Sequence, residues 1–344
     1  MLKWYEEQSD NQDIVLSSRI RLSRNLKKYP FSPKLTNEQA INLLEEVKES
    51  IKDYEGLNGK MLCCDLDKLS DVEKKGMIER HILSRNMLEK EQATGLIVSE
   101  DESLSILINE EDHLEIQSMA GGMNMKKAYQ KANEMDDYGY DRLEFAYSEK
   151  FGYLTTCPTN VGTGLRASYL VFLPALQGAL KINRLADEAS KYGVSLRAVF
   201  GEGSNGVAHI FELTNQKTLG ISENDVMNNL NNIVHQVMKQ ERKRREFLLS
   251  NNLDEIEDQV YRSYGILKYT TQINSSDAMT LLSQVKFGVD MKLLTLSEPF
   301  HFYELMMAIL PYTIQCTNGK CVGSKIRDKL RAKFLNQAIP LIQS

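Results

Sequence analysis

The run YLTTCPTNVGTGLRAS, residues 153–168, sets Cys157-Pro158-Thr159-Asn160 just ahead of Gly162-Thr163-Gly164, the composition of a loop dense in turn formers. It leads into an apolar stretch around Leu170 to Leu180 that reads as helix. Loops fixed against packed elements are where binding and catalytic groups concentrate. Upstream, Gly95 to Gln117 turns β-branched and alternating, with Ile106 and Ile108 on one side, and reads as strands. Downstream, a strand around Leu196 to Phe200 runs into Gly201-Glu202-Gly203-Ser204-Asn205-Gly206, where the chain bends tightly or comes close to a ligand, or forms a mobile surface hairpin.

Two helices frame these segments. Thr36 and Gln39 make a capping box ahead of Ala40, Leu44, Val47 and Ile51 on one face. Ser222 caps a second helix carrying Val226, Leu230, Ile233, Val234, Val237 and Met238, which runs on into the charged stretch Lys239 to Glu246, read as a solvated face. From about Asn251 to Ser344 the pattern is of short amphipathic helices. The division that follows is 1–247 and 248–344.

With 42% hydrophobic and 26% charged residues in 344, the chain has ordinary globular composition, and a net charge of -5 gives no general reason to expect nucleic acid as a partner. The polar, acidic start MLKWYEEQSDNQD lacks the features of a signal peptide, and no apolar run is long enough to span a bilayer; a cytoplasmic location and no membrane partner are expected. Five cysteines, Cys63, Cys64, Cys157, Cys316 and Cys321, suit thiols better than a disulfide framework. Cys316 and Cys321 have no second pair nearby, so no metal site is expected.

Neither the Gly-x-x-x-x-Gly-Lys-Ser/Thr loop nor the His-Arg-Asp and Asp-Phe-Gly motifs of other ATP users occur. Four other segments stand out: Ser17-Ser18-Arg19-Ile20-Arg21, Asn109-Glu110-Glu111-Asp112-His113, the run from Cys157 to Arg166, and Arg197 with Gly201-Glu202-Gly203. Guanidinium groups that chelate phosphate oxygens stabilise the charge spread over a phosphoryl group in flight. A guanidinium acceptor has a pKa above about 12 and needs carboxylates to orient it and take its proton. On their own, Glu110 to Asp112 read as a solvated acidic turn.

Through Asn-Glu-Glu-Asp-His and Cys-Pro-Thr-Asn, the first 245 residues or so resemble the guanidino (phosphagen) kinases, the superfamily of creatine and arginine kinases. The Ser-Arg-x-Arg motif begins by residue 17, leaving no room for the helical domain that precedes it in metabolic members. That and the phrases FGEGS and DQVYRSYGIL make the chain similar to the bacterial protein-arginine kinase branch, over nearly its whole length. The resemblance implies an α+β fold: an antiparallel sheet flanked by helices, followed by a small all-helical C-terminal domain that is regulatory. It implies ATP binding by Ser17, Ser18, Arg19, Ile20 and Arg21, by His81, by Arg166, Ala167, Ser168, Tyr169 and Leu170, and by Arg197, Ala198, Val199, Phe200 and Gly201. Glu111 and Glu202 match its catalytic glutamates, and Cys157 matches a cysteine beside the guanidinium. Arg327, Asp328 and Arg331 match a regulatory phosphoarginine site in which helical spacing sets the two arginines side by side; on spacing alone, solvated arginines are the better reading.

Mg2+ is expected to come with ATP and to be held mainly through it. The implied partners are protein substrates including a stress-gene repressor, a zinc-finger activator, a Clp-type unfoldase and protease, and a second copy in a homodimer. One position departs from the family: two residues beyond His113, where an arginine belongs, stands Glu115. In an extended segment Glu111, His113 and Glu115 share a face, so a carboxylate faces the phosphates. A catalytically weak phosphoarginine-binding adaptor and a small-guanidine kinase are the alternative readings.

Overall fold

The computed structural model describes residues 3–7, 9–56, 59–64, 66–202 and 205–343, with the side chains at 59, 60, 201, 202 and 205 excepted. In chain order the elements are β1 (Val15–Arg24), α1 (Asn37–Ile51), β2 (Glu55–Gly56), β3 (Gly59–Cys64), α2 (Asp71–Glu79), α3 (Asn86–Glu89), β4 (Gly95–Ser99), β5 (Leu104–Ile108), β6 (Leu114–Gly121) and α4 (Met125–Tyr140). Then come β7 (Tyr147–Ser148), β8 (Gly152–Tyr153), β9 (Leu165–Phe172), α5 (Pro174–Gly178), α6 (Ile182–Lys191), β10 (Val194–Ala198), β11 (Gly201–Glu202), β12 (Asn205–Gly206) and β13 (Ile210–Asn215). Five helices end the chain: α7 (Glu223–Tyr269), α8 (Ser275–Asp290), α9 (Phe302–Ala308), α10 (Thr313–Asn318) and α11 (Ser324–Ala338).

Nine strands form one antiparallel sheet in the order β10-β13-β9-β1-β6-β5-β4-β3-β2, with β1 near its centre. Alternation along β1 explains its two faces. Ile20 and Leu22 are buried in a core that α1, α4, α6 and the first half of α7 complete, while Arg19 and Arg21 project from the opposite face. A bulge between Val15 and Ser17 reverses the parity, so that Leu16 joins the same side as Ser17. That end of the cationic face is covered by the C-terminal helices: Leu16, Met119, Leu170, Phe172 and Ile210 share a second core with Val260, Phe287, Phe302 and Tyr303.

Helix α1 opens with the expected reciprocal cap between Thr36 and Gln39, and Ser222 caps α7 through Asp225 N. Three readings change. Residues 165–172 are a strand, because Leu165, Ala167, Tyr169 and Val171 alternate into the first core; only the short α5 is helical in the stretch that follows. Helix α7 crosses the division at 247: it kinks at Asn252, where the backbone is non-helical, runs on to Tyr269 as more than a short helix, and buries Val226 to Met238 in one core and Val260, Tyr264 and Leu267 in the other. Within the charged run 239–246, Glu241 and Arg245 are buried and paired at 2.9 Å, and Glu241 accepts from Ala175 N and Leu176 N at the start of α5. The inward face of that run is therefore an ionic anchor, not a solvated surface. Among the described residues no helix is long and apolar enough to cross a membrane.

Candidate active site

The Cys157–Leu165 loop is built around Arg166. A single 3-10 turn at Pro158–Asn160 turns back onto the head of β9, where Arg166 Nε donates to Asn160 Oδ1 at 2.8 Å, Nη2 to Thr159 Oγ1 at 3.0 Å and Nη1 to Asn215 O at 2.6 Å. Gly162 has φ +114 and lies so close to Thr218 that an added Cβ would sit 2.2 Å from its carbonyl oxygen, which explains the glycine. Thr218 Oγ1 in turn donates to Thr159 O and Val161 O. Cys157 ends half-buried, its Sγ 3.1 Å from Thr159 Oγ1.

The Asn109–His113 turn is equally framed. Asn109, at φ +58, donates to Ala40 O and Ala93 O; Asp112 Oδ1 accepts from Asn25 Nδ2 and from Thr156 N, both at 2.6 Å. His113 Nδ1 accepts from Leu26 N at 2.9 Å, and its Nε2 donates to Pro30 O at 2.9 Å. Four residues of this motif thus serve as frame, with Glu110 buried and accepting from Ser84 Oγ, and Glu111 alone is displayed. The segment is bent, so His113 does not share a face with Glu111 and Glu115, though those two do line one cleft.

That cleft, about 500 Å³, brings Arg21, Arg166 and Arg197 together with Glu111, Glu115, Cys157 and Glu212. A narrower cavity of about 240 Å³ adjoins it through Arg197 and Glu212 and is walled by Ser17, Arg19, His81, Met119, Ser168, Leu170, Ala198, Val199 and Tyr303. Ser18, Ile20, Ala167 and Tyr169 point to the other face: Ser18 Oγ donates to Gly122 O, and the other three are core residues. Phe200 packs against the second core. Gly201 and Glu202 pair with Gly206 and Asn205 in a two-strand hairpin; the Glu202 side chain, with Gly203 and Ser204, lies outside the described residues.

Charge in the cleft is dense and mutually perturbing. Burial, with Arg21 alongside, lowers Arg19 to about 10, and burial lowers Arg166 also. Burial would lower Arg21 too, but Glu115 and Glu212 outweigh it and raise it. Arg21 Nη1 lies 3.5 Å from Glu115 Oε1, and Arg19 Nη1 lies 3.9 Å from Glu212 Oε1. Glu212 is held low by Arg19 and Arg21 in spite of its burial, whereas Glu111 is raised by burial and by Asp112, Glu110 and Glu115. Burial, aided by Arg19, drops His81 to about 4. Arg19 Nε is buried without a partner. Guanidinium donors with an unfilled buried N–H fit the phosphate oxygens of a nucleotide. Among the described residues no group of three or more His, Cys, Asp or Glu could hold a metal.

Sequence reasoning missed Glu212 and Tyr303. Glu212 was visible as a polar position in the alternating strand Ile210-Phe211-Glu212-Leu213-Thr214, and the register sets it opposite Arg197. Tyr303 comes from α9 and has no local signal. In α11, Arg331 is 1% exposed and donates to Ile309 O, Ile273 O and Asp328 Oδ1, so it is not a free partner beside Arg327. Asp328 faces a separate groove with Asp277 and Asn274.

Two family descriptions match, "ATP:guanido phosphotransferase, C-terminal catalytic domain" over residues 42–244 and "Protein-arginine kinase McsB C-terminal domain" over 253–343. A protein-arginine kinase of Desulforamulus reducens is 37% identical over 339 residues, 98% of this chain and 95% of that protein. Its counterpart in Bacillus subtilis is 36% identical over 340 residues, 98% of this chain and 93% of that one. Among solved structures, the duplicated taurocyamine kinase of Schistosoma mansoni with transition-state analogue components superposes with TM-score 0.63 at 23% identity, over 74% of this chain and 38% of the duplicated one. A lombricine kinase gives 0.60 at 23% identity, over 70% of this chain and 69% of its own. The fold agrees with those guanidino kinases and the near full-length relatives set the branch: the chain belongs to the ATP:guanido phosphotransferase family and, within it, to the protein-arginine kinases.

Proposed function

We propose that the chain transfers the γ-phosphoryl group of ATP to arginine side chains of proteins, giving ADP and protein phosphoarginine. The observation that carries this reading is the meeting of Arg21, Arg166 and Arg197 with Glu111 and Cys157 in one cleft, with Arg19 in the adjoining cavity. The arginines hold the phosphates and meet the charge that develops on the moving group. Glu111, helped by Glu202, grips the incoming guanidinium and takes the proton released as its nitrogen attacks phosphorus and ADP leaves. A carboxylate whose pKa is raised by burial and by its acidic neighbours is a better proton acceptor than an ordinary one. Cys157 lies beside the acceptor. Magnesium would come with ATP, held mainly through the nucleotide, and would add to the neutralisation of phosphate charge that the arginines provide.

Residues 1–247 form the catalytic part and 248–344 the regulatory part, where Arg327, Asp328 and Arg331 serve phosphoarginine binding, Arg331 by holding the Asp328 carboxylate. The family likeness extends the reading to a cytoplasmic homodimer that marks proteins in stress response and quality control. Its partners are a stress-gene repressor as substrate, a zinc-finger activator and a Clp-type unfoldase. Glu115 and Glu212 in the clamp favour one second reading, a catalytically weak phosphoarginine-binding adaptor.

Incubation with γ-labelled ATP, a protein substrate and free arginine decides between them. Acid-labile label on protein alone supports the proposal, label on neither supports the adaptor, and label on free arginine points to a small-guanidine kinase.

A further inference from the structure

We infer that Tyr303, a residue of the C-terminal helices, contacts the bound nucleotide and closes the nucleoside end of the cleft. The inference rests on the reading of the cleft as an ATP site.

The ring of Tyr303 is fixed from the side away from the cavity. It packs on Trp4 with centroids 5.5 Å apart, and its neighbour Phe302 packs on Phe172 of β9, also at 5.5 Å. Tyr303 is 7% exposed and walls the smaller cavity together with Ser17, Arg19 and His81. Its hydroxyl lies near Ser17, Arg19 and Glu212; apart from a loose approach to Ser17, too poorly formed to satisfy it, the buried oxygen has no hydrogen-bond partner. Arg19 Nε, facing the same space, is also buried and unpartnered. Buried donors are almost always satisfied, and two left open on one cavity suit a ligand that brings acceptors.

The ligand's orientation follows from what surrounds those donors. The cavity joins the larger cleft through Arg197, where the other clamp arginines lie, so the phosphates belong on that side. Met119, Leu170 and Val199 form the apolar floor beneath Tyr303, which suits the flat, weakly polar base and the sugar. The facing wall is held by the same helical segment. His81 follows Glu79, whose carboxylate accepts from Tyr312 N, Thr313 N and Thr313 Oγ1 at the head of α10. Both walls of the nucleoside pocket are thereby tied to α9 and α10. A ligand that shifts these helices must alter nucleotide affinity, and nucleotide must alter the affinity of that ligand by the same factor.

The test uses full-length Tyr303→Phe, which removes one oxygen and keeps the packed ring. Calorimetric titration compares ATP with inorganic tripolyphosphate, which reaches the arginines but has no nucleoside. The expected result is ATP affinity weakened by about three- to tenfold, the cost of one hydrogen bond, with tripolyphosphate unchanged. In turnover, KM for ATP rises by the same factor and kcat at saturating ATP is kept. Without nucleotide the variant should melt at or above the wild-type temperature, because the oxygen removed makes no well-formed hydrogen bond. Unchanged ATP affinity, equal weakening of tripolyphosphate, or a lower melting temperature of the free variant each overturns the inference. A wild-type chain that binds no ATP overturns the proposed function as well.

Discussion

Replacing Glu115 with glutamine should tighten ATP binding, and the size of the effect follows from the geometry. Arg21 Nη1 stands 3.5 Å from Glu115 Oε1. A phosphate oxygen accepting from the same nitrogen sits about 2.9 Å from it, and so no farther than roughly 6 Å from the carboxylate. Two unit negative charges at that distance repel by about 0.7 kcal/mol in a water-like medium and by about 2.8 kcal/mol at the effective dielectric of a protein site. The Glu115 side chain is 12% exposed and that of Arg21 30%, which favours the upper part of that range. Glu115→Gln should therefore lower the Kd for Mg-ATP by about five- to a hundredfold, and Glu115→Arg by more. The ion pair lost with the carboxylate costs about 1 kcal/mol of fold stability, because Arg21 keeps Glu212 nearby and its side chain still borders the open cleft. Calorimetry at low and high salt measures both the gain and its electrostatic origin, because screening must shrink it. A Glu115→Gln protein whose Kd stays within about twofold of wild type, or rises, would refute the reasoning and mean that the carboxylate turns away from the phosphates or helps hold the cation.

Two further outcomes follow from the same geometry. Asn160→Ala removes the acceptor that aims Arg166 Nε, and should leave the fold within about 1.5 kcal/mol of wild type while reducing kcat at least about tenfold; equal kcat would show that Thr159 and Asn215 suffice to hold the guanidinium. His81, lowered to about 4, is uncharged at neutral pH. Its folded value lies below the unfolded one of about 6.5, so the unfolded chain takes up the proton first and stability is lost as pH falls from about 6.5 to 4. The loss should approach 3 kcal/mol, less whatever solvent screens at this half-buried ring, and His81→Gln should flatten that part of the denaturation profile. A profile of unchanged slope would assign the acid sensitivity to other groups.

What could be read from the sequence was local. The cap at Thr36 and Gln39, the strands between Gly95 and Gln117, and the tight loop after Cys157 each follow from residue chemistry within a few positions, and each is present. The apolar run from Leu170 misled because a fully covered strand and a buried helix have the same composition; only neighbours on both sides of β9 decide it. Arg19 and Arg21 could be placed on one face from their spacing, but the bulge that sets Leu16 beside Ser17 could not. The acidic motif at 109–113 reads on its own as a solvated turn, with Glu111 catalytic by resemblance. It is mostly a bracket, because the partners of Asn109, Asp112 and His113 lie far away at Ala40, Asn25 and Leu26. Glu212 and Tyr303 required knowledge of strand register and of the packing of the C-terminal helices on the sheet, neither of which is written within any short window.

Helix α7 is a kinked beam common to both halves of the molecule, running from Glu223 through the bend at Asn252 to Tyr269 and embedded in each hydrophobic interior in turn. Severing the chain near 247 would not release a self-sufficient enzyme. It would strip the cover from Leu16, Met119, Leu170, Phe172 and Ile210 and leave a wet, sticky flank where the nucleoside pocket should close. Such a fragment would tend to clump rather than turn over substrate, so dissection of this protein calls for point substitutions within the intact chain.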